Sequence, residues 1–250
     1  MIQGVFVVIP QYIIGDVHGE FDTLMALIAK LPKVHELIFV GDIIDRGPKS
    51  KEVIAYIRNN AFRCVLGNHE ELMIEYSDVC IKAFLNHESL PLLASRWIKN
   101  GGDMTLCSYN LAYKEKHTLL LNYNEAAVYD FIEDINWLKS LPLYLELNTL
   151  KKNKPIVVTH ASASNVWHWH EDEAHQEAFQ ESALWNRMPP RSDTPIFNIY
   201  GHTPVEDINC NQHFLNLDTG CTYGLESDFG NLSAYCVQTQ EIVQQKRIRN

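Results

Sequence analysis

The sequence is short of the features that mark membrane, secreted and nucleic-acid-binding chains. No apolar run in its 250 residues approaches the roughly 20 that a membrane-spanning helix needs, so no membrane partner is expected. The first ten residues carry no basic cluster and no small-residue cleavage site, and Pro10 ends their apolar run. A signal peptide is therefore not expected. No block of lysine and arginine stands out, and the formal net charge is −10. A chain that grips a phosphate backbone carries a basic patch, so nucleic acid is excluded as an expected partner. The six cysteines (Cys64, Cys80, Cys107, Cys210, Cys221 and Cys236) include no C-x-x-C spacing and lie mostly in apolar runs. They read as the reduced thiols of a cytoplasmic protein. Low-complexity segments and long linkers are lacking too. What is there is a chain 46% hydrophobic, enough to bury one sizeable core, so residues 1–250 are expected to form a single domain. Its oligomeric state is not legible.

Three short motifs organise the rest. Gly15-Asp16-Val17-His18-Gly19, Gly41-Asp42-Ile43-Ile44-Asp45-Arg46-Gly47 and Gly67-Asn68-His69-Glu70 each follow an apolar run, and Asp16, Asp42 and Asn68 are spaced 26 residues apart. One strand–loop–helix unit has about that length, so three successive loops would deliver polar side chains. The β-α-β-α-β order implies parallel pairing with right-handed crossovers. Ligands in such sheets gather beyond the carboxyl ends of the strands, where all three motifs lie.

Local patterning predicts strands at Val5–Ile9, Tyr12–Ile14, Leu37–Val40 and Cys64–Leu66. It predicts helices at Phe21–Leu31, from Ser50 as a cap with Val53, Ile54 and Ile57 inward, at Leu72–Leu85 and at Ala127–Leu138. Residues 71 to about 140 read as a mostly helical, cap-like region, with a turn at Trp97–Gly102. From Leu143 onward the pattern turns to strands: Leu143–Asn148, Ile156–Thr159, Ile196–Tyr200, Phe214–Leu217 and a final hairpin of Leu232–Val237 with Glu241–Arg247. His160 and His202 follow two of these runs directly.

Strand ends thus collect Asp16, His18, Asp42, Asn68, His160 and His202. Carboxylate, imidazole and amide donors without thiolate suit a divalent ion such as Mn²⁺ or Fe, with Zn²⁺ an option, and not a structural zinc site. Six ligands are too many for one ion that must also admit substrate. Two divalent metal ions about 3.5–4 Å apart, sharing one carboxylate, fit better.

These motifs, with His160 and Gly201-His202-Thr203-Pro204, resemble the calcineurin-like metallophosphoesterases. Arg46-Gly47 after Asp45 and Glu70 after His69 look like the serine/threonine protein phosphatase branch. Trp97 with Asn100-Gly101-Gly102, Leu184-Trp185-Asn186-Arg187 and Asp218-Thr219-Gly220 look like its compact bacterial and phage members, including bacterial diadenosine tetraphosphatases. The resemblance implies an α/β (α+β) fold, a β-sandwich of two mixed sheets flanked by helices in four layers. It implies Asp16, His18 and Asp42 on one metal, and Asp42, Asn68, His160 and His202 on the second.

Two cations would turn water into the attacking group near neutral pH. Arg46 and Arg187 are the candidates to grip the phosphoryl oxygens, with Asn68 donating from its amide. His69 would protonate the leaving oxygen, and Asp45 would orient it. The leading expectation is a phosphoprotein phosphatase hydrolysing phosphoserine and phosphothreonine, extending to phosphotyrosine, with a phosphoprotein or phosphopeptide as partner. The alternative is a symmetrical diadenosine tetraphosphate hydrolase, for which Trp97, Tyr109, Trp167 or Trp169 would stack a base. Trp167–His170 reads as a substrate-facing loop. Cys221 is given no catalytic role. Residues 225–229 stand as an insertion that alters the nearby cleft.

Overall fold

The protein was analysed as a computed structural model that describes residues 9–90, 95–116, 118–223 and 229–249. All but Ile9 of the expected strand at Val5–Ile9, and all but Phe229 of the 225–229 insertion, lie outside the described residues. The first half runs β1 (Gln11–Ile14), α1 (Phe21–Ile28), β2 (Glu36–Phe39), α2 (Ser50–Asn59), β3 (Arg63–Cys64) and α3 (Asn68–Leu85). A π-helical turn (Ile98–Gly102) leads to α4 (Asp103–Ser108), β4 (Ala112–Glu115), β5 (Thr118–Leu121) and α5 (Glu125–Leu138). Then come β6 (Tyr144–Lys151), β7 (Lys154–Thr159), α6 (Gln176–Trp185), β8 (Phe197–Tyr200), β9 (Asn209–Cys210), β10 (Phe214–Asn216), β11 (Asn231–Cys236) and β12 (Ile242–Lys246).

Two mixed sheets result. The first has the order β12-β11-β1-β2-β3, with β1, β2 and β3 parallel and β11 antiparallel to β1. The second has the order β6-β7-β8-β10-β9, with β7, β8 and β10 parallel. Strand residues alternate between two apolar environments, as the pleat requires. Ile13 and Ile38 join Ile156, Val158, Phe197, Ile199 and Leu215 in a core between the sheets. Their neighbours Tyr12, Ile14, Leu37 and Phe39 face Leu24 and Leu27 of α1 and Val53, Ile54 and Ile57 of α2. On the far side, Val157 packs with Phe179 and Ala183 of α6. The layers are therefore helix, sheet, sheet, helix. Truncating one of these fully buried side chains to alanine would cost about 2–5 kcal/mol.

Several element boundaries differ from the sequence expectation. Helix α1 stops at Ile28 rather than Leu31. The predicted last-turn Lys30 donates instead to the Gln244 carbonyl of β12 at 2.7 Å. Ser50 begins α2 but does not cap it, because its hydroxyl accepts the Asp45 N–H at 3.0 Å. Helix α3 starts at Asn68, four residues early, so Asn68 and His69 project from its first turn. The antiparallel hairpin β4–β5 interrupts the region expected to be mostly helical. Cys64, Cys80, Cys221 and Cys236 are buried free thiols and Cys107 is half-buried, but Cys210 is exposed. No helix among the described residues is long and apolar enough to cross a membrane.

Candidate active site

The β1–α1, β2–α2 and β3–α3 loops meet the ends of β7 and β8 at one rim of the sandwich. Asp42 is central, and its two oxygens face different groups. Oδ2 lies 3.6 Å from His18 Nε2 and 3.8 Å from His69 Nε2, while Oδ1 lies 3.3 Å from His160 Nε2. Two clusters that could hold a metal share it: His18, Asp42 and His69, and Asp42, His160 and His202. Asn68 completes the second, its Oδ1 lying 2.8 Å from both His160 Nε2 and His202 Nδ1.

Backbone carbonyls fix the imidazole tautomers. His18 Nδ1 donates to the Ile44 carbonyl at 2.9 Å, and His160 Nδ1 donates to the Val40 carbonyl at 3.0 Å. Both leave Nε2 as the lone-pair atom facing inward. Burial holds His18 and His160 neutral by lowering their pKa values, and burial with the neighbouring His160 pushes His202 down to about 3. Carboxylates crowd the same volume. Burial, Asp218 and Asp42 raise Asp16 well above its usual range, and burial pushes Asp218 up to about 6. Burial opposes the charge on Asp42 too, but the surrounding histidines hold its carboxyl far below the ordinary value.

Asp16 stands apart from both clusters. Its Oδ2 accepts the His202 N–H at 3.1 Å, and its Oδ1 is buried with no hydrogen-bond partner among the described residues. Inward-facing lone pairs, crowded buried carboxylates and an unpartnered carboxylate oxygen all fit divalent cations. His69, expected as the acid, also lies within the first cluster.

The backbone here is unusual. His18, Asp42, Asp45, Arg46 and His202 all have φ between 46° and 69°. Such left-handed non-glycine residues gather where surrounding structure overrides local preference, typically at functional sites. Glu70 supplies much of that constraint. Its carboxylate accepts the N–H groups of Gly67 and Asp42 on Oε2, and of Ile43 and Ile44 on Oε1, at 2.8–3.3 Å.

Asp45 is wholly buried and accepts from His69 Nδ1 at 2.7 Å. Thr105 Oγ1 donates to the other oxygen at 2.6 Å, and Trp97 Nε1 lies 3.1 Å from both. Burial works against a charged His69, but Asp42 and Asp45 outweigh it and raise the imidazole. Arg46 presents its two terminal nitrogens to His18 Nε2 at 2.8 Å and His69 Nε2 at 3.0 Å. Its N–H donates to the Gly101 carbonyl at 3.1 Å. Arg187 is exposed and donates to Thr203 Oγ1 at 3.5 Å, one residue from His202. Trp185 Nε1 donates to Glu71 at 2.7 Å and Asn186 Nδ2 to the Ser162 carbonyl at 2.8 Å, anchoring the loop from which Arg187 extends.

Motif reading named Glu70 and Trp97 without their contacts here, and it did not name Thr105 at all. The stretch expected as a turn, Trp97–Gly102, is a kinked π-helical turn with Gly101 at φ 107°. Trp97 and Tyr109 are buried and cannot stack a base. Trp167 is also buried, stacked on His170 at 4.1 Å, and Trp169 stacks on His175 at 4.9 Å. The Trp167–His170 segment is thus a 3-10 turn packed on α6 rather than a free loop. Cys221 is buried, and burial raises its thiol well above the usual range, so it stays protonated.

The calcineurin-like phosphoesterase family matches residues 9–229. A serine/threonine-protein phosphatase 1 of Salmonella typhimurium is 27% identical over 223 residues, which is 85% of this chain and 87% of that one. An asymmetrical bis(5'-nucleosyl)-tetraphosphatase of Oceanobacillus iheyensis is 27% identical over 261 residues, 92% of this chain and 90% of that one. Among solved structures, a protein serine/threonine phosphatase from Saccharomyces cerevisiae aligns with a TM-score of 0.57 at 16% identity, over 99% of this chain and 82% of that one.

Proposed function

The chain belongs to the calcineurin-like phosphoesterase family, a family of phosphoester hydrolases, and from that premise we propose that it is a metal-dependent phosphoprotein phosphatase acting on phosphoserine and phosphothreonine. Asp16, His18 and Asp42 would hold one divalent ion. Asp42, Asn68, His160 and His202 would hold the other, with Mn²⁺ the proposed pair. When bound, the pair supplies Lewis acidity toward the phosphoryl group and toward the attacking water.

The rest is the work of side chains. An incoming phosphate draws the Arg46 nitrogens away from His18 and His69, and Arg187 closes on the same oxygens from the opposite loop. Arg46's departure frees His69 Nε2 to carry a proton. Water forms the new P–O bond as the bond to the leaving oxygen breaks. That oxygen's electron pair takes the proton from His69 Nε2, while Nδ1–H stays on Asp45. The attacking water's proton passes to solvent, from which His69 Nε2 is reprotonated, so the cycle closes on the free alcohol and inorganic phosphate.

The buried Asp45–His69 pair at 2.7 Å carries the choice of substrate. A serine or threonine alkoxide is a poor leaving group and needs a placed acid. A phosphoanhydride leaves as a stabilised phosphate and needs it far less. One observation favours a second reading, hydrolysis of a dinucleoside tetraphosphate. Tyr223 is 44% exposed, and the Arg46 guanidinium sits 5.7 Å from its ring centre, where a base could stack. Side-by-side turnover of a phosphoserine peptide and of diadenosine tetraphosphate with Mn²⁺ separates the two. The peptide is expected to be the better substrate, and a strong preference for the dinucleotide would overturn the proposal.

A further inference from the structure

We propose that Thr105 and Trp97 are positioning residues which, by holding Asp45, fit this site to unactivated alkyl phosphates rather than activated aryl ones. The inference rests on the reading of His69 as the proton donor. Its ground is the arrangement around one buried carboxylate. Asp45 belongs to the β2–α2 loop, but two of its three side-chain donors come from Trp97, which immediately precedes the π-helical turn, and from α4, 52 and 60 residues away along the chain.

Thr105 grips Asp45 twice. Its hydroxyl donates to Oδ1 at 2.6 Å, and the same oxygen accepts the Asp45 N–H at 3.0 Å. One side chain thereby fixes both the left-handed backbone of Asp45, at φ 69°, and the rotation of its carboxylate. Ser50 Oγ lies 3.0 Å from Thr105 Oγ1 and 3.0 Å from the Asp45 nitrogen, closing the ring. The Trp97 N–H lies 3.1 Å from both oxygens, so the carboxylate plane cannot swing away from it. The one direction left to Oδ2 is His69 Nδ1 at 2.7 Å.

With every other lone pair engaged, Asp45 presents itself to His69 in a single orientation, and Nε2 is aimed at the leaving oxygen. A carboxylate free to rotate would leave the imidazole free to tilt. Binding of the phosphoryl group, which falls to Arg46, Arg187 and the ligand set, would be untouched. Only substrates whose leaving oxygen needs a proton would feel the loss.

The test uses the full-length protein with Mn²⁺ and two substrates, a phosphoserine peptide and p-nitrophenyl phosphate. Thr105→Val keeps the shape and removes the hydroxyl. Trp97→Phe keeps a buried ring but removes the N–H together with part of the indole's volume. Each is expected to lower kcat on the peptide by about tenfold or more while changing p-nitrophenyl phosphate turnover less than threefold and leaving both KM values unchanged, given the ~10²–10⁴-fold that a general acid contributes. Thr105→Ser is expected to restore peptide turnover. Equal losses on both substrates, or a Thr105→Ser variant as impaired as Thr105→Val, would overturn the inference. His69→Asn is the control. If it is selective against the peptide and the two positioning variants are not, the acid stands and this inference falls. If His69→Asn impairs both substrates alike, the acid assignment itself falls.

Discussion

Glu70 Oε2 accepts the backbone N–H of Asp42 at 2.8 Å, so the residue shared by both candidate metal clusters is held through its main chain by a side chain from the first turn of α3. The same carboxylate accepts from Gly67, Ile43 and Ile44, tying the β2–α2 loop to the start of α3. Glu70→Gln replaces one acceptor oxygen by an NH₂ that meets buried N–H groups it cannot accept from. We expect a loss of about 1–3 kcal/mol in unfolding free energy. Apparent Mn²⁺ affinity should fall at least tenfold as Asp42 relaxes. Denaturant unfolding and Mn²⁺ titration check this, and an unchanged Mn²⁺ affinity would sink it.

Gly101 carries a second prediction. Its φ of 107° disfavours any L side chain, and a Cβ there would stand 2.7 Å from the Arg46 nitrogen and 2.8 Å from Arg46 Cγ. Gly101→Ala is therefore expected to push Arg46 off the proposed phosphoryl site or to break the carbonyl bond that seats its backbone. The expected result is weaker inhibition by inorganic phosphate, by about tenfold, with Mn²⁺ affinity kept. A phosphate inhibition constant within twofold of the wild type would show that Arg46 does not depend on this contact.

These two residues mark where the sequence was legible and where it was not. The three loops and the two strand-end histidines were readable because each follows an apolar run and carries donor atoms at short, regular spacing. The sandwich was implied by the resemblance those motifs carry, and in the structure Ile13 and Ile38 alternate with Tyr12, Ile14, Leu37 and Phe39 between its two cores. Thr105 was not readable, nor was the contact of Trp97 with Asp45, because side chains reaching Asp45 from 60 and 52 residues away leave no local trace. Ser50 misled for a related reason. A serine at a helix start usually caps it, but here the Asp45 N–H takes the hydroxyl first. The early start of α3 was signalled by Glu70 and Glu71, acidic residues in a first turn. The weak alternation of the β4–β5 hairpin was not enough to mark it.

Chelation provides a third prediction. Asp16, Asp42 and Asp218 are buried together near His18, His160 and His202, which burial holds neutral, and like charges at this depth need a compensating cation. Exhaustive chelation should abolish p-nitrophenyl phosphate hydrolysis and lower the thermal midpoint, and added Mn²⁺ should restore both. Activity that persists after chelation would remove the metal reading altogether.

The fourth prediction concerns acid. Burial and His160 push His202 down to about 3 in the folded chain, while an unfolded histidine titrates near 6.5. Below that pH the unfolded chain takes up a proton that the folded one refuses. His202 therefore contributes its full share to stability above about pH 6.5, and that share is lost progressively as the pH falls toward 3. His18 and His160 act in the same direction, so a wild-type curve alone cannot isolate it. His202→Asn can, since asparagine tolerates the φ of 69° at this position. In chelator, the unfolding free energy of the variant relative to the wild type should improve by up to about 1.4 kcal/mol for each unit of acidification between pH 6 and 4.5. Urea unfolding at several pH values measures it. A difference between the two proteins that stays constant across that window would mean that His202 is not held neutral by the fold.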